Sequence, residues 1–162
     1  MRLRRRPILC GTVLLSVACV CWGCGTTPQR RDDGTVPEPI TDTTIADARH
    51  DGAMMASGSS LFAARCSPCH GAQGQGSIGP NLTDDAWLHG GRPMQIYRSI
   101  SEGAPAKGMI AWKSRLAPRQ LLALTAYVMT LEESSPPHPK APQGDRVERG
   151  DGAPGAPAST SR

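Results

Sequence analysis

Aromatic side chains are scarce in this sequence: one Phe, two Tyr and three Trp, or 4% of 162 residues. A chain this poor in aromatics buries little aromatic surface of its own, and 18 Gly and 15 Pro dilute it further. Long apolar runs are missing as well. The longest, Ile8 to Val20, is slightly short for the roughly 20 residues of a membrane-spanning helix. The net charge is also slight. The formal +4 equals the contribution of Arg2, Arg4, Arg5 and Arg6, so the remainder is close to neutral and nothing points to nucleic acid. No internal repeat is visible, and the length allows at most one modest domain plus extensions.

Arginines ahead of an apolar run are the n-region and h-region of an export signal, expected over residues 1–23. Four of the six cysteines, Cys10, Cys19, Cys21 and Cys24, crowd this leader. A cysteine closing such a run suits lipid attachment, and Cys24 or Cys19 is the candidate. Choosing Cys24 leaves only Cys66 and Cys69 as further thiols. An uncleaved N-terminal membrane helix is the alternative, and either anchor places the remaining chain outside the cytoplasmic membrane, on the periplasmic side. Residues 24–52 read as a flexible linker. They hold Pro28, Pro37 and Pro39, three arginines against six acidic residues, and no apolar periodicity.

Cys66-Ser67-Pro68-Cys69-His70 is the stretch that carries chemistry. Two cysteines three apart, followed at once by histidine, are the attachment signature of haem c. One turn of chain sets both thiols along one porphyrin edge, where each can form a thioether, and the adjacent His70 reaches the iron. A structural disulfide, a redox pair or half a zinc site would also use Cys-x-x-Cys. Zinc would need a second ligand pair, and the only other Cys-x-x-Cys, Cys21 to Cys24, lies in the leader. One haem filling a domain of about 80 residues would supply the core that the composition lacks.

The haem domain is expected over 53–133. A helix starting near Ser57 or Ser59 delivers Cys66; Gly71, Gly74, Gly76 and Gly79 then mark a loop. Thr83-Asp84-Asp85 reads as the start of a short helix holding Trp87 and Leu88, and another short helix runs from about Pro93 to Ile100. A loop over 101–117 contains Met109. The last helix opens at Pro118, carries Leu121, Leu124, Val128 and Leu131 on one stripe, and ends near Glu133. The Pro- and Gly-rich remainder, 134–162, reads as a disordered tail.

An electron-carrying iron held by His70 needs a sixth ligand, and Met54, Met55, Met94, Met109 and Met129 are on offer. Met109 sits far enough beyond His70 for the chain to wrap over a ring and return, but a methionine is as often core filler. His89 reads as a surface residue, with ligation to iron the other possibility.

Four stretches taken in order carry a family resemblance: Cys-Ser-Pro-Cys-His-Gly (66–71), Gly-Pro-Asn-Leu-Thr-Asp-Asp-Ala-Trp-Leu-His-Gly-Gly (79–91), Lys-Gly-Met-Ile-Ala-Trp (107–112) and Leu-Thr-Ala-Tyr-Val (124–128). Residues 54 to 133 resemble a class I cytochrome c domain, nearest to those of cbb3-type oxidase diheme subunits. The resemblance implies an all-α fold of short helices and loops wrapped around one covalently bound haem c. It implies Met109 as distal ligand, so that His70 and Met109 hold the iron, and Pro80 as the carbonyl that orients His70. Gly58 and Phe62 would meet Tyr127 at a helix crossing, and Trp87 and Trp112 would line the pocket or simply pack. One departure is Ile110, where the family commonly has proline after the methionine.

The function expected is a mono-haem electron carrier, not itself an enzyme, serving partners such as a terminal oxidase or a quinol-cytochrome c reductase. An electron-relay subunit of a larger oxidase or dehydrogenase is the alternative. A haem-based sensor would require Met109 to leave the iron free.

Overall fold

The computed structural model describes residues 39–147. The leader, its candidate lipidation sites Cys19 and Cys24, most of the expected linker and residues 148–162 lie outside the described residues. Among the described residues no helix is long and apolar enough to cross a membrane.

Five helices and one small strand pair make up the fold: α1 (Asp42–Ala48), α2 (Gly52–Arg65), α3 (Ser67–His70), β1 (Ala86–Trp87), α4 (Pro93–Glu102), α5 (Pro118–Leu131) and β2 (Asp145–Arg146). A 3-10 turn, Pro105–Lys107, sits between α4 and α5. Helix α5 is the central element. Nine of its residues are buried, from Leu121 to Leu131, because α2, α4 and α1 all pack on it. A helix buried on most sides must be apolar on most sides, so Leu122, Ala123, Ala126 and Met129 join the predicted stripe.

Helices α2 and α5 cross where Gly58 removes a side chain. A Cβ there would lie 2.3 Å from the Ala123 carbonyl oxygen and 2.7 Å from the Tyr127 Cβ. Phe62, 1% exposed, packs its ring against Tyr127 with centroids 5.5 Å apart. The expected meeting of Gly58, Phe62 and Tyr127 is present.

Four sequence expectations need correction. Helix α1 lies inside the stretch read as linker. Thr41 and Thr44 cap it reciprocally, and Ile45 (0% exposed) and Ala48 (6%) insert into the core. Two apolar residues one helical turn apart are too few to show as periodicity, but they suffice to dock one short helix. Asp42 then accepts from the Met94 backbone N–H at 2.8 Å, capping the start of α4, and Arg49 pairs with Glu133 at the end of α5. Helix α2 begins at Gly52, five residues before Ser57, because Asp51 caps it by accepting from the N–H groups of Ala53 and Met54 at 2.9 and 3.2 Å.

The predicted helix over 83–88 does not form. Asn81 Oδ1 accepts from the Thr83 N–H (2.9 Å) and hydroxyl (2.8 Å), and Asp84 Oδ1 accepts from the Ala86 N–H at 3.0 Å. These local side-chain bonds outcompete a helical turn, and Ala86–Trp87 pairs instead with Asp145–Arg146, antiparallel. The fourth correction follows: residues 134–147 are not a free tail, since β2 and Lys140 are bonded to the body of the domain. Pairing and side-chain anchors, neither periodic in sequence, hold this segment.

The Gly58 contact is testable. Gly58→Ala is expected to cost about 1–3 kcal/mol through overpacking, read as a lower denaturant midpoint at unchanged slope.

Candidate haem site

The Cys-x-x-Cys-His turn grows out of α2. The Cys66 N–H donates to Phe62 O at 2.8 Å, ending that helix, and the His70 N–H donates to Cys66 O at 2.9 Å, closing one further turn. Pro68 stands in the first turn, where its missing N–H costs nothing, and the Ser67 hydroxyl donates to Ala63 O at 2.7 Å. Gly71, at φ +83°, ends the turn in a conformation that other residues resist. Cys66 is half-buried and Cys69 exposed, and the two thiols are free of any disulfide.

The following loop doubles back over this turn. The Gly79 N–H donates to Cys69 O at 2.8 Å and the Gly76 N–H to His70 O at 2.7 Å. Gly79 passes directly against the imidazole: a Cβ there would sit 2.9 Å from His70 Cε1 and 3.0 Å from Nδ1. The loop therefore brings the Pro80 carbonyl to 3.0 Å from His70 Nδ1. With Nδ1–H donating to this carbonyl, the proton is fixed on Nδ1 and Nε2 keeps its lone pair for a metal. Burial holds the His70 pKa below its ordinary value; the Pro80 bond opposes this, and the Lys140 charge adds to the lowering. The ring is thus poised in its neutral, ligating form. Burial, and then the neighbouring Cys69 thiol, pushes the Cys66 thiol up to about 11.

Met109 lies on a second, separately built loop. Its N–H donates to Ala104 O at 3.2 Å, and Ala104 N–H donates back to Met109 O at 2.9 Å, making an antiparallel bridge. Gly103, at φ +70°, lets the bridge close, since a Cβ there would meet Ile110 and Met109 backbone within 2.6 Å. Trp112 and Lys113 donate to Ile100 O and Ser101 O, tying the loop to the end of α4. Ile110 lacks the ring that would restrict φ, and these backbone bonds supply the restraint instead.

Cys66, Leu82, Trp87, Met94, Tyr97, Met109 and Trp112 are all only partly buried, and all pack on the same core cluster. Two free thiols and an imidazole with Nδ1 committed to Pro80 form a donor set that fits a haem c. Met54 and Met129 are buried in the core itself, 5% and 4% exposed, which is the filler role. His89 is exposed and borders a polar groove with Gln95, Arg98 and Glu102. Asn81 and Lys140 were not singled out from sequence. A lone lysine in a Pro-rich stretch gives no signal there.

The profile of the family described as "Cytochrome C oxidase, cbb3-type, subunit III" matches residues 53–128. Residues 53–128 form a c-type cytochrome domain related to those of cbb3-type oxidases. The domain has the class I cytochrome c fold. Over 94 aligned residues the chain is 38% identical to the Cbb3-type cytochrome c oxidase subunit FixP of Sinorhizobium medicae, covering 52% of this chain and 32% of that protein. Against the FixP subunit of Azorhizobium caulinodans it is 46% identical over 77 residues, 46% of this chain and 26% of the other. The chain thus matches about a third or less of the length of these two relatives. Among solved structures, cytochrome cL of Methylophaga aminisulfidivorans is similar at 29% identity, with a TM-score of 0.45, over 51% of this chain and 55% of that one.

The burial difference between the thiols has a measurable consequence. In the haem-free folded chain at pH 8, Cys69 is expected to be alkylated by iodoacetamide before Cys66, because the raised pKa leaves Cys66 with little thiolate. Peptide mass mapping over a time course reads the order.

Proposed function

We propose that this chain is a mono-haem c-type cytochrome that passes single electrons between respiratory partners outside the cytoplasmic membrane. The observation that carries the reading is the His70 ring itself, hydrogen-bonded at Nδ1 to Pro80 O and set at the end of a Cys-x-x-Cys turn. Cys66 and Cys69 would hold one haem c through thioethers, and His70 and Met109 would ligate its iron. The bound group supplies an iron that alternates between ferrous and ferric.

What the chain's residues do is hold and shield. The Pro80 carbonyl fixes the imidazole so that its orientation is the same in both redox states. The Ala104–Met109 bridge holds the thioether at the tip of a short rigid loop, and a soft sulfur ligand favours the ferrous state. With His70 and Met109 both on the iron, no open site would remain for a small-molecule substrate, which favours an electron carrier over an enzyme or a gas sensor. The domain's basic residues exceed its acidic ones by only two over 53–133. Docking to a redox partner would therefore be weakly steered and short-lived. An N-terminal anchor, through a lipid on Cys24 or Cys19 or through an apolar helix, would raise the local concentration on the membrane.

A second reading is favoured by the relatives' names, which are those of oxidase subunits. In that case the same site is an internal relay of a larger oxidase complex.

Export of the full chain in a strain able to attach haem c tests the proposal. The ferric protein should show the weak near-infrared sulfur-to-iron band. Met109→Ala should abolish that band and lower the midpoint potential, since a soft ligand of the reduced iron is lost. Replacing both Cys66 and Cys69 by Ala should leave no haem on a denaturing gel. A wild-type chain that binds no haem overturns the reading.

A further inference from the structure

The segment after α5 contributes to the site, although it lies beyond the stretch that matches the family. It runs along the outside of the loop that carries Pro80 and is attached to it repeatedly. The Lys140 N–H donates to Gln75 O at 2.8 Å, and Lys140 O accepts from Asn81 Nδ2 at 3.2 Å. The Lys140 ammonium donates to three successive carbonyls, Ser77 O at 3.1 Å, Ile78 O at 3.4 Å and Gly79 O at 3.1 Å. Gly76, at φ +88°, makes room: a Cβ there would lie 2.8 Å from the Lys140 Cβ. Further on, β2 pairs with β1, Val147 N–H donates to Asp85 O at 2.8 Å, and Arg146 pairs with Asp85 at 2.8 Å. Residues 140–147 thus strap the chain from Gln75 to Trp87, with Pro80 in the middle.

Resting on the proposed haem ligation by His70, we propose that Lys140 is a positioning residue. It holds the 77–79 carbonyls so that Pro80 stays bonded to His70, and it places a positive charge beside that bond which raises the reduction potential. Ser77, Ile78 and Gly79 are consecutive, and their carbonyls converge on the Lys140 ammonium, while a loop bond, Ser77 N–H to Gly79 O at 3.2 Å, assists from within. An ammonium has three N–H groups and matches that demand. Ile78, 84% exposed, contributes no burial to hold the loop, so the backbone bonds must. Gly79 links the charge to the imidazole: its carbonyl accepts from the Lys140 ammonium at 3.1 Å, and a Cβ on it would lie 3.0 Å from His70 Nδ1. A positive charge near the iron favours the state with one positive charge fewer. If the loop opens, water takes over as acceptor for Nδ1–H, so the imidazole keeps a partner and the charge decides the sign.

The test uses the full haem-loaded chain and two variants. Lys140→Met keeps the aliphatic stem and loses the donors and the charge; Lys140→Arg keeps charge and donors. In Lys140→Met the His70 Nδ1–H, followed by NMR in D2O, should exchange roughly tenfold faster or more. The midpoint potential should fall in the same variant, with the near-infrared band intact. Lys140→Arg should return both quantities toward wild type. A haem-bearing Lys140→Met in which either quantity equals wild type overturns this inference alone. A wild-type chain without haem c overturns the proposed function and this inference together.

Discussion

The hydrogen bond from His70 Nδ1 to the Pro80 carbonyl is the contact on which the site depends. A carbonyl has one effective reach, so Pro80 must be delivered to within 3.0 Å of a ring ten residues earlier. That requirement explains Gly79: the loop has to pass against the imidazole, close to Cε1 and Nδ1, with no Cβ in the way. The same bond leaves one nitrogen committed and the other available, so a single contact sets tautomer, orientation and basicity together.

The loop has little apolar surface, and bonds such as Leu82 N–H to Gly74 O and Ser77 N–H to Gly79 O tie it only to itself. Its stability comes from both sides. Beneath it, the Gly76 and Gly79 N–H groups bond to the Cys-x-x-Cys-His turn, which α2 in turn fixes by packing against α5. Above it lies the 140–147 strap, bonded to carbonyls that would otherwise face solvent. The Met109 loop is built on the same plan, with a backbone bridge and a Gly at its neck in place of a hydrophobic anchor. In the proposed cytochrome, two loops secured by backbone bonds on one helical frame would hold the donor set still while a charge comes and goes.

The chemistry was largely legible in the residues. Cys66, Cys69 and His70 are adjacent, so their spacing shows in the chain, and one turn of helix preserves it. Helix α5 was legible because its apolar spacing repeats over several turns, and α4 because a proline start precedes Ile96 and Ile100; Pro118 marks the start of α5 in the same way. Helix α1 was not, because it docks with only Ile45 and Ala48, and a Thr- and Asp-rich context hid them. The 83–88 segment failed for a different reason: Thr-Asp-Asp serves a cap and an Asx turn equally well, and only the presence of β2 decided between them.

Sequence by itself determined which atoms are available: two thiols and an imidazole at fixed spacing, a methionine on a glycine-flanked loop, and an apolar helix to carry the core. Those are local properties, set by covalent geometry within a few residues. Tertiary structure decided what touches His70 from a distance. Lys140 lies seventy positions away in a Pro-rich stretch with no pattern, and its three carbonyl partners exist as an acceptor set only once the 71–80 loop has folded back. Contacts between segments without periodicity leave no trace in the chain, because their energy comes from convergence of backbone groups that every residue possesses.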